Sequence, residues 1–412
     1  MLNFMIKPTS FYCNTACKYC FYLEKQDFMT SKDNKRTRVM DIELAKKFIE
    51  KRIIESPTED VYFTWQGGEP LLAGLDFYKK IVSHQINLAR IFNKKIHNSI
   101  QTNGMLINEQ WAKFFKKNEF LIGVSIDGDQ EFHNIYRRTA DNRGTFREVS
   151  RGIRFLEEYK VEYNTLTVVN NFNVKYPLEV YNYLKAIGVR FMQFIPVIET
   201  EDVDENYKPA WIDDKNFIAK PTSFSVKPED YAKFMNTIFD EWIKKDILNI
   251  SIRMFDSLLS RLGGFEQTLC VFKEACGGNN LALENDGIIY QCDHFVYPED
   301  KFKIGSFKDF SLNEIEAKTK KLSDLKKEIS SKCKECKWLE LCHGGCPKHR
   351  FVNINDNKER ISYFCEAYQS IFEHVTPGLN LMIQFKEKEI PWILFPQAIT
   401  KLNDTNKTTT EK

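Results

Sequence analysis

The sequence predicts an α/β protein in which helices cover a mostly parallel sheet, followed by a smaller cysteine-rich domain. Over residues 1–200, six apolar strand-like runs alternate with helices of amphipathic spacing, a pattern typical of βα units. From Cys270 onward this alternation stops and cysteines become frequent. Because six units fall short of the eight in a closed TIM barrel, we expect a partial, open (β/α)6 barrel.

The βα units follow one another along the chain. Asp41 can cap the first helix and Gly188 can end the last one. In such folds, functional groups gather at the carboxyl ends of the strands. The predicted strands cover residues 2–6, 61–65, 96–101, 120–126, 163–169 and 191–197, and the predicted helices cover residues 42–54, 75–91, 108–117, 145–159 and 178–187.

The second half of the sequence is less regular. Pro228 can open a helix that runs to about residue 245, and a further strand is expected over 250–255. Asn285-Asp286-Gly287 is a hairpin turn signal between 281–284 and 288–291. Short helices are expected over 312–319 and 321–330. The predicted division is a barrel at 1–230, a linking helix and strand at 231–268, the cysteine-rich domain at 269–380, and a tail at 381–412 whose polar end (402–412) is expected to be disordered.

The composition is that of an ordinary soluble protein. The 412 residues carry a net charge of +2, so nothing indicates a nucleic-acid partner. No apolar run approaches the ~20 residues that span a bilayer, and no signal peptide pattern opens the chain, so we expect a cytoplasmic protein. Disulfides are rare there, and eleven cysteines therefore favour metal or cluster ligation. Three lie in the first loop and eight follow residue 269, so sites of three, four and four thiolates would use them all.

The first loop carries Cys13, Cys17 and Cys20 at the spacing C-x3-C-x2-C; we call residues 13–20 the thiol loop. Cubane iron–sulfur clusters take one thiolate per iron, so three cysteines leave one iron open to a small molecule. By spacing alone, a zinc knuckle with a distant fourth ligand, or three unrelated buried cysteines, would also be possible.

A second motif, Gln66-Gly67-Gly68-Glu69-Pro70, follows the second predicted strand. Adjacent glycines let a ligand approach the backbone closely, and the following carboxylate can accept a hydrogen bond from an ammonium group. The alternative is a simple turn, since glycine and proline are turn residues.

With Tyr19 before its last cysteine, the thiol loop resembles the signature of radical S-adenosylmethionine (SAM) enzymes. The extension Cys20-Phe21-Tyr22-Leu23-Glu24-Lys25 resembles that of anaerobic sulfatase-maturating enzymes, and the similarity runs from about residue 3 to about residue 370. The resemblance implies the partial barrel of that superfamily and a [4Fe-4S] cluster on the thiol loop whose open iron chelates SAM. The SAM contacts that it implies are Gly68, Glu69, Ser125, Arg137 and Ile198.

The C-terminal cysteines resemble those of the SPASM domain, which holds two auxiliary [4Fe-4S] clusters. Two zinc sites with four thiolates each are the alternative, because C-x2-C pairs are also zinc signatures. The resemblance implies that the first auxiliary cluster is held by Cys270, Cys276, Cys292 and Cys346, and the second by Cys333, Cys336, Cys342 and Cys365.

The resemblance also implies a reaction. A 5′-deoxyadenosyl radical would take hydrogen from the Cβ of a serine or cysteine in a sulfatase, with Asp293 as the base and Tyr22 in contact with the substrate, to give Cα-formylglycine. The implied partners are an unfolded or nascent sulfatase polypeptide and an electron donor such as flavodoxin or ferredoxin, without nucleic acid or membrane. The alternatives are another SPASM enzyme that forms thioether or carbon–carbon crosslinks in a peptide, and a non-catalytic iron–sulfur or zinc protein.

Overall fold

The computed structural model describes residues 2–22, 25, 38–204, 208–214, 216–276, 280–354 and 359–410. All six predicted strands of the first 200 residues are present, with the predicted helices between them, and the α/β class is confirmed. The elements of this part are β1 (Phe4–Ile6), α1 (Ile42–Ile54), β2 (Asp60–Trp65), α2 (Leu75–Phe92), β3 (Lys95–Thr102), α3 (Glu109–Lys117), β4 (Leu121–Ser125), α4 (Gln130–Tyr136), α5 (Phe146–Glu158), β5 (Tyr163–Val169), α6 (Pro177–Ala186) and β6 (Phe191–Pro196).

Shorter elements make up most of the rest of the chain. They are α7 (Pro228–Lys245), β7 (Ser251–Ile252), α8 (Arg253–Leu262), β8 (Leu281–Leu283), β9 (Ile288–Tyr290), β10 (Lys303–Ser306), α9 (Leu312–Lys318), α10 (Lys320–Lys327), α11 (Ser331–Lys334), α12 (Leu339–Cys342), β11 (Val352–Asn353), β12 (Arg360–Ile361), α13 (Cys365–Glu387) and α14 (Phe395–Thr410).

Local sequence explains several of these boundaries. The Asp41 side chain accepts hydrogen bonds from the backbone N–H groups of Glu43 and Leu44, which fixes the start of α1. Pro228 is the first residue of α7, where its missing N–H costs nothing. The predicted hairpin is confirmed, with β8 and β9 antiparallel around the Asn285-Asp286-Gly287 turn.

The chain forms two compact units that alternate along the sequence. Unit 1 contains Met1–Leu166, Glu199–Lys220 and Ala275–Lys327, and unit 2 contains Thr167–Ile198, Pro221–Glu274 and Glu328–Lys412. This division differs from the consecutive domains that the sequence predicts. In unit 1 the physical reason is that β8, from the predicted cysteine-rich domain, pairs in parallel with β1.

The sheet of unit 1 has the strand order β10-β9-β8-β1-β2-β3-β4-β5. Its strands are parallel from β8 to β5, while β9 and β10 continue it in antiparallel fashion. The residues that follow β1, β2, β3 and β4 therefore emerge at the same edge of the sheet, where the predicted motifs lie.

In unit 2, β6 pairs in parallel with β7, and α7 packs on α13. Gly378 allows close contact between these helices, because a Cβ at this position would lie 2.9 Å from Ile243 and 3.0 Å from Phe239. Phe239 also packs edge-on against Phe255 of α8. These apolar contacts form part of the core on which α13 packs.

Two segments differ from the sequence prediction. The strand expected over 250–255 ends after Ile252, and Arg253 begins α8, whose Met254, Phe255 and Leu258 are buried on one face. Short apolar runs fit both a strand and a helix, and here helical spacing decides. At the C-terminus, α14 extends to Thr410, into the segment expected to be disordered. No helix within the described residues is long and apolar enough to cross a membrane.

Candidate active site

The thiol loop lies in unit 1 between β1 and α1. The backbone N–H of Ala16 donates to the Arg138 carbonyl at 2.7 Å, and that of Lys18 donates to the Tyr136 carbonyl at 3.1 Å. These bonds fix the loop to the last residue of α4 and to the segment that follows it. Cys13, Cys17 and Cys20 are thus presented from one loop that is held by backbone contacts on its own unit.

Gly67 and Gly68, which follow β2, lie against the chain that leads into the thiol loop. The Gly68 N–H donates to the Ser10 carbonyl at 2.6 Å, and the Glu69 N–H donates to the Tyr12 carbonyl at 2.8 Å. A Cβ at Gly68 would lie only 2.1 Å from the Tyr12 carbonyl oxygen. The chain that leads into the thiol loop therefore approaches Gly68 closely on this side, and the contact of Gly68 with SAM stays a prediction.

Glu69 is completely buried and its carboxylate accepts three hydrogen bonds. The donors are the Leu71 N–H at 2.9 Å, the Thr102 hydroxyl at 2.8 Å and the Asn103 N–H at 2.7 Å. Burial raises the pKa of Glu69 to about 7, although the hydrogen bonds oppose this shift. The side chain joins the ends of β2 and β3, and its contact with SAM stays a prediction.

The thiols have the donor chemistry that an iron–sulfur cluster requires. Burial, with a smaller contribution from the charge of Glu69, raises the pKa of Cys13 to about 12, so this thiol keeps its proton until a metal displaces it. The Asn103 amide donates to the Cys13 sulfur at 3.6 Å and to the Asn14 side-chain oxygen at 2.7 Å. Three partly or fully buried soft ligands on one loop fit a cluster with one open iron.

Arg137, a predicted SAM contact, is buried in unit 1 and paired with Asp127 at 3.0 Å. Tyr19 of the thiol loop donates a hydrogen bond to the same carboxylate. Ser125, another predicted contact, ends β4 and accepts from the Gln101 amide at 3.1 Å. Ile198 is buried in unit 2, two residues beyond the end of β6.

Asp293 belongs to a buried group of charged and polar side chains in unit 1, which we call the carboxylate network: Lys7, Ser10, Tyr22, Glu284 and Asp293. The Lys7 ammonium pairs with Asp293 and lies 3.6 Å from the centre of the Tyr22 ring. The Tyr22 hydroxyl donates to Glu284, which also accepts from the Ser10 hydroxyl at 2.6 Å. The predicted base and the predicted substrate contact are therefore joined through Lys7.

The charges of the network set its protonation. Burial raises the pKa of Asp293, but the charges of Lys7, His294 and Lys25, with the hydrogen bond from Lys7, together outweigh burial, and the net pKa lies below the usual value. Burial raises the pKa of Glu284, against the opposing charge of Lys7. Burial, and then the charge of Glu284, raise the pKa of Tyr22 well above its usual value. Asp293 is therefore ionised near neutral pH.

Sequence reasoning missed Lys7, Ser10 and Glu284. One signal was present: Lys7 and Glu284 are charged residues that directly follow the apolar strands β1 and β8. Because Ile6 pairs with Leu283 in parallel, the two residues emerge side by side at one sheet edge. That pairing joins segments more than 270 residues apart, and no local pattern predicts it.

The network lies beside an apolar core of unit 1 that includes Phe11, Tyr22 and Phe295. Cys20, Cys276 and Cys292 pack against this core. Lys25 is also buried here and donates to the Val296 carbonyl at 2.6 Å. Leu23 and Glu24 of the predicted extension lie outside the described residues. The last thiol of the thiol loop and two predicted auxiliary ligands thus pack against the same core.

A cavity in unit 2 is lined by all four predicted ligands of the second auxiliary cluster, Cys333, Cys336, Cys342 and Cys365; we call it the cysteine cavity. Four thiols facing one space fit a four-thiolate cluster. All eleven cysteines of the chain are free thiols. Of the first auxiliary set, Cys276 and Cys292 lie in unit 1 and Cys270 and Cys346 in unit 2, and this set stays a prediction.

Comparisons with known proteins agree with the geometry of the thiol loop. The family model of the Radical SAM superfamily matches residues 8–184. The chain is 39% identical over 386 residues to the serine-type anaerobic sulfatase-maturating enzyme of Bacteroides thetaiotaomicron, covering 92% of this chain and 91% of that protein. It is 37% identical over 380 residues to the cysteine-type enzyme of Clostridium novyi, covering 90% and 94%.

A solved structure is similar over almost its whole length. Native anSMEcpe with bound AdoMet and Cp18Cys peptide superposes with a TM-score of 0.78 and 33% sequence identity, covering 92% of this chain and 98% of that chain.

The contact at Gly68 yields a first prediction. Gly68→Ala should displace the thiol loop, because the added methyl group would overlap the Tyr12 carbonyl, and should remove about four of about twelve irons from the reconstituted protein, the content of one cubane. Iron and sulfide analysis measures this loss. Gly263→Ala is the control, since its added Cβ would lie no closer than 3.2 Å to any atom. Full iron content in Gly68→Ala would contradict the role given to this contact.

The Lys7–Asp293 pair yields a second prediction. Lys7→Met keeps a long unbranched side chain but leaves a buried carboxylate without its nearest cation, which should lower the free energy of unfolding by about 3–5 kcal/mol. Lys79→Met is the control, because its exposed pair with Asp76 is worth at most about 1 kcal/mol. Denaturant unfolding compares the two variants.

A double variant tests the reason for that loss. Lys7→Met with Asp293→Asn removes both charges and should recover part of the stability, since no unpaired charge then remains buried. Equal losses in Lys7→Met and Lys79→Met, or no recovery in the double variant, would show that the pair does not carry the stability of this region.

Proposed function

This chain belongs to the anaerobic sulfatase-maturating enzymes, radical SAM oxidoreductases that generate formylglycine, and we propose that it oxidises the Cβ of a serine or cysteine in a sulfatase polypeptide. Its cofactors are SAM and [4Fe-4S] clusters. The observation that carries the proposal is the joint placement in unit 1 of the three-thiol loop and a buried carboxylate, Asp293. The two are joined by Tyr22, only two residues beyond Cys20, through Lys7.

Each cofactor would be held by residues of this chain. We propose that Cys13, Cys17 and Cys20 hold the SAM-binding cluster, and that the auxiliary ligand sets are those predicted from the sequence. SAM would contact Gly68, Glu69, Ser125, Arg137 and Ile198. When bound, the clusters and SAM supply the chemistry that side chains lack: reductive cleavage of SAM to a hydrogen-abstracting 5′-deoxyadenosyl radical, and an exit for the second electron.

The protein's own part is to orient the substrate and move one proton. Oxidation of a serine side chain to the aldehyde removes one hydrogen atom from Cβ, one electron, and the hydroxyl proton. Asp293 would accept that proton as a positioned base, held in place by Lys7. Tyr22 would contact the substrate, with its hydroxyl fixed by Glu284. Burial of this network excludes water from the reacting group.

The partners follow from the same reasoning. The substrate would be an unfolded or nascent sulfatase polypeptide, because the serine or cysteine must reach a buried carboxylate. The electrons for SAM cleavage would come from a flavodoxin- or ferredoxin-type donor. Eleven free thiols suit the reducing cytoplasm, and a net charge of +2 gives no reason to include nucleic acid among the partners.

One experiment tests substrate and reaction together. Reconstituted protein is incubated anaerobically with SAM, a reductant, and either a serine-type or a cysteine-type sulfatase peptide, since the identities to the two types of relative are 39% and 37%. Mass spectrometry should show loss of two hydrogens from the serine peptide or replacement of the thiol by an aldehyde in the cysteine peptide. A thioether or carbon–carbon crosslink in place of the aldehyde would overturn the proposal.

Metal content is the third prediction. Anaerobically reconstituted protein should contain about 12 irons and about 12 sulfides, as three cubanes. Replacing Cys13, Cys17 and Cys20 by alanine should leave about eight of each, because the two auxiliary sites remain, and should abolish 5′-deoxyadenosine formation. Stoichiometric zinc, or undiminished SAM cleavage by the triple variant, would contradict the cluster assignment.

The role of Asp293 is the fourth prediction. Asp293→Asn keeps the shape of the side chain and removes its basicity, so the variant should retain its iron and cleave SAM but form formylglycine at least ~100-fold more slowly. Asp286→Asn is the control, a carboxylate in the exposed turn of the β8–β9 hairpin that precedes Asp293. Iron, 5′-deoxyadenosine and formylglycine are measured on one preparation, and full product yield with intact clusters would remove Asp293 from the mechanism.

A further inference from the structure

Gln369 lies on the wall of the cysteine cavity in unit 2. It follows Cys365 by four residues on α13, so the two side chains project from the same face of the helix. This position places the amide next to a predicted cluster ligand by helix geometry alone. Residues 365–387 form one continuous helix packed on α7, and the amide is therefore carried by a fixed element.

The amide contacts two of the four sulfurs. Gln369 Nε2 lies 3.6 Å from the Cys365 sulfur and 3.7 Å from the Cys336 sulfur, within the range of N–H···S hydrogen bonds. A thiolate only accepts hydrogen bonds, and a glutamine amide has two N–H donors. One side chain can therefore donate to both ligands at once, while the amide oxygen would be repelled by both.

The rest of the cavity wall offers little competing polarity. Besides the aromatic residues, its other polar side chains are Ser362, whose hydroxyl accepts from the Phe364 N–H at 3.3 Å, and Lys332, which is exposed. The remaining lining is apolar or aromatic, with Trp338, Leu339, Tyr368 and Phe372. In surroundings of low polarity a hydrogen bond to a charged acceptor acts more strongly than in water.

Hydrogen bonds to ligating sulfurs tune a cluster's reduction potential. Reduction adds one negative charge, part of which resides on the thiolates, and an N–H dipole directed at them stabilises the reduced form more than the oxidised form. The apolar lining acts in the opposite direction, since it disfavours the more highly charged state. The potential is thus set by a balance to which Gln369 contributes an N–H dipole from the cavity wall, alongside the charge of Lys332.

We propose that Gln369 is a positioning residue that raises the reduction potential of the second auxiliary cluster, and so sets how readily that cluster accepts an electron. This inference rests on the cluster assignment in the proposed function, but not on the identity of the substrate. The effect should lie within the typical value of a charge-assisted hydrogen bond, about a tenfold change in the ratio of reduced to oxidised cluster at a fixed potential. For a one-electron couple, tenfold corresponds to about 59 mV.

The test measures potentials without any substrate. The background is the protein in which Cys13, Cys17 and Cys20 are replaced by alanine, so that only auxiliary clusters contribute. Redox titration followed by EPR is carried out on this protein, on Gln369→Leu, which removes the amide, and on Gln369→Asn, whose shorter side chain cannot span the same distance. Gln384→Leu is the matched control, the same substitution at an exposed position of the same helix.

The titration should show two reduction waves, one for each auxiliary cluster. In both Gln369 variants one wave should move to lower potential, so that the ratio of reduced to oxidised cluster at a fixed potential falls about tenfold. Neither wave should move in Gln384→Leu. The wave that moves should be the one perturbed by Cys365→Ala. Unchanged potentials with full iron content would overturn the inference while leaving the proposed function intact. Absence of iron from the background protein would overturn both.

A second measurement uses protein with Gln369 intact, so it does not depend on the folding of a variant. In protein labelled with 15N at the glutamine amides, the reduced second auxiliary cluster should show an electron–nuclear coupling to one amide nitrogen. This coupling reports the hydrogen bond itself, so its absence would overturn the inference even if a variant had shifted the potential by disturbing the cluster.

Discussion

The structure of this active site depends on a backbone contact that only glycine permits. The end of β2 passes so close to the chain leading into the thiol loop that the Gly68 N–H and the Ser10 carbonyl are 2.6 Å apart. Ser10 itself adopts a left-handed conformation, with φ of +50°, which a non-glycine residue accepts at some energetic cost. The same residue donates its hydroxyl to Glu284. The position of the thiols and the position of the carboxylates are therefore set by one residue and its glycine partner.

Unit 1 also holds an unusual concentration of buried charge. Lys7, Glu284 and Asp293 are each at most 6% exposed, and such groups are stable only when they are paired. The aromatic ring of Tyr22 and the opposing charges supply partners for these groups. Removing these groups from solvent costs free energy, which the pairing of β1 with β8 offsets. The sheet and the carboxylate network therefore depend on each other.

The sequence predicted best what is encoded locally. The cap at Asp41, the proline that opens α7, and the Asn-Asp-Gly hairpin depend on residues within a few positions, and each lies where it was expected. The thiol spacing and the glycine pair likewise indicated the site. What could not be predicted depends on long-range pairing: the parallel contact of β1 with β8, the meeting of Lys7 with Asp293, and the alternation of the two units along the chain. Glu69 was predicted only in part: the sequence indicated its position after β2, but not the three groups of the protein that donate hydrogen bonds to it.

The insertion of β8 beside β1 has a consequence for how the protein is made. β1 is a central strand only when residue 281 and its neighbours have been added; until then one side of β1 presents unpaired N–H and C=O groups to solvent. Exposed edges of this kind recruit other strands and promote aggregation. A chain released or cleaved before residue 281 would carry such an edge next to the thiol loop. During synthesis on the ribosome, the sheet in the N-terminal two thirds of the molecule stays incomplete until β8 has been made. Folding of the protein therefore depends on the rate of translation and on protection by chaperones.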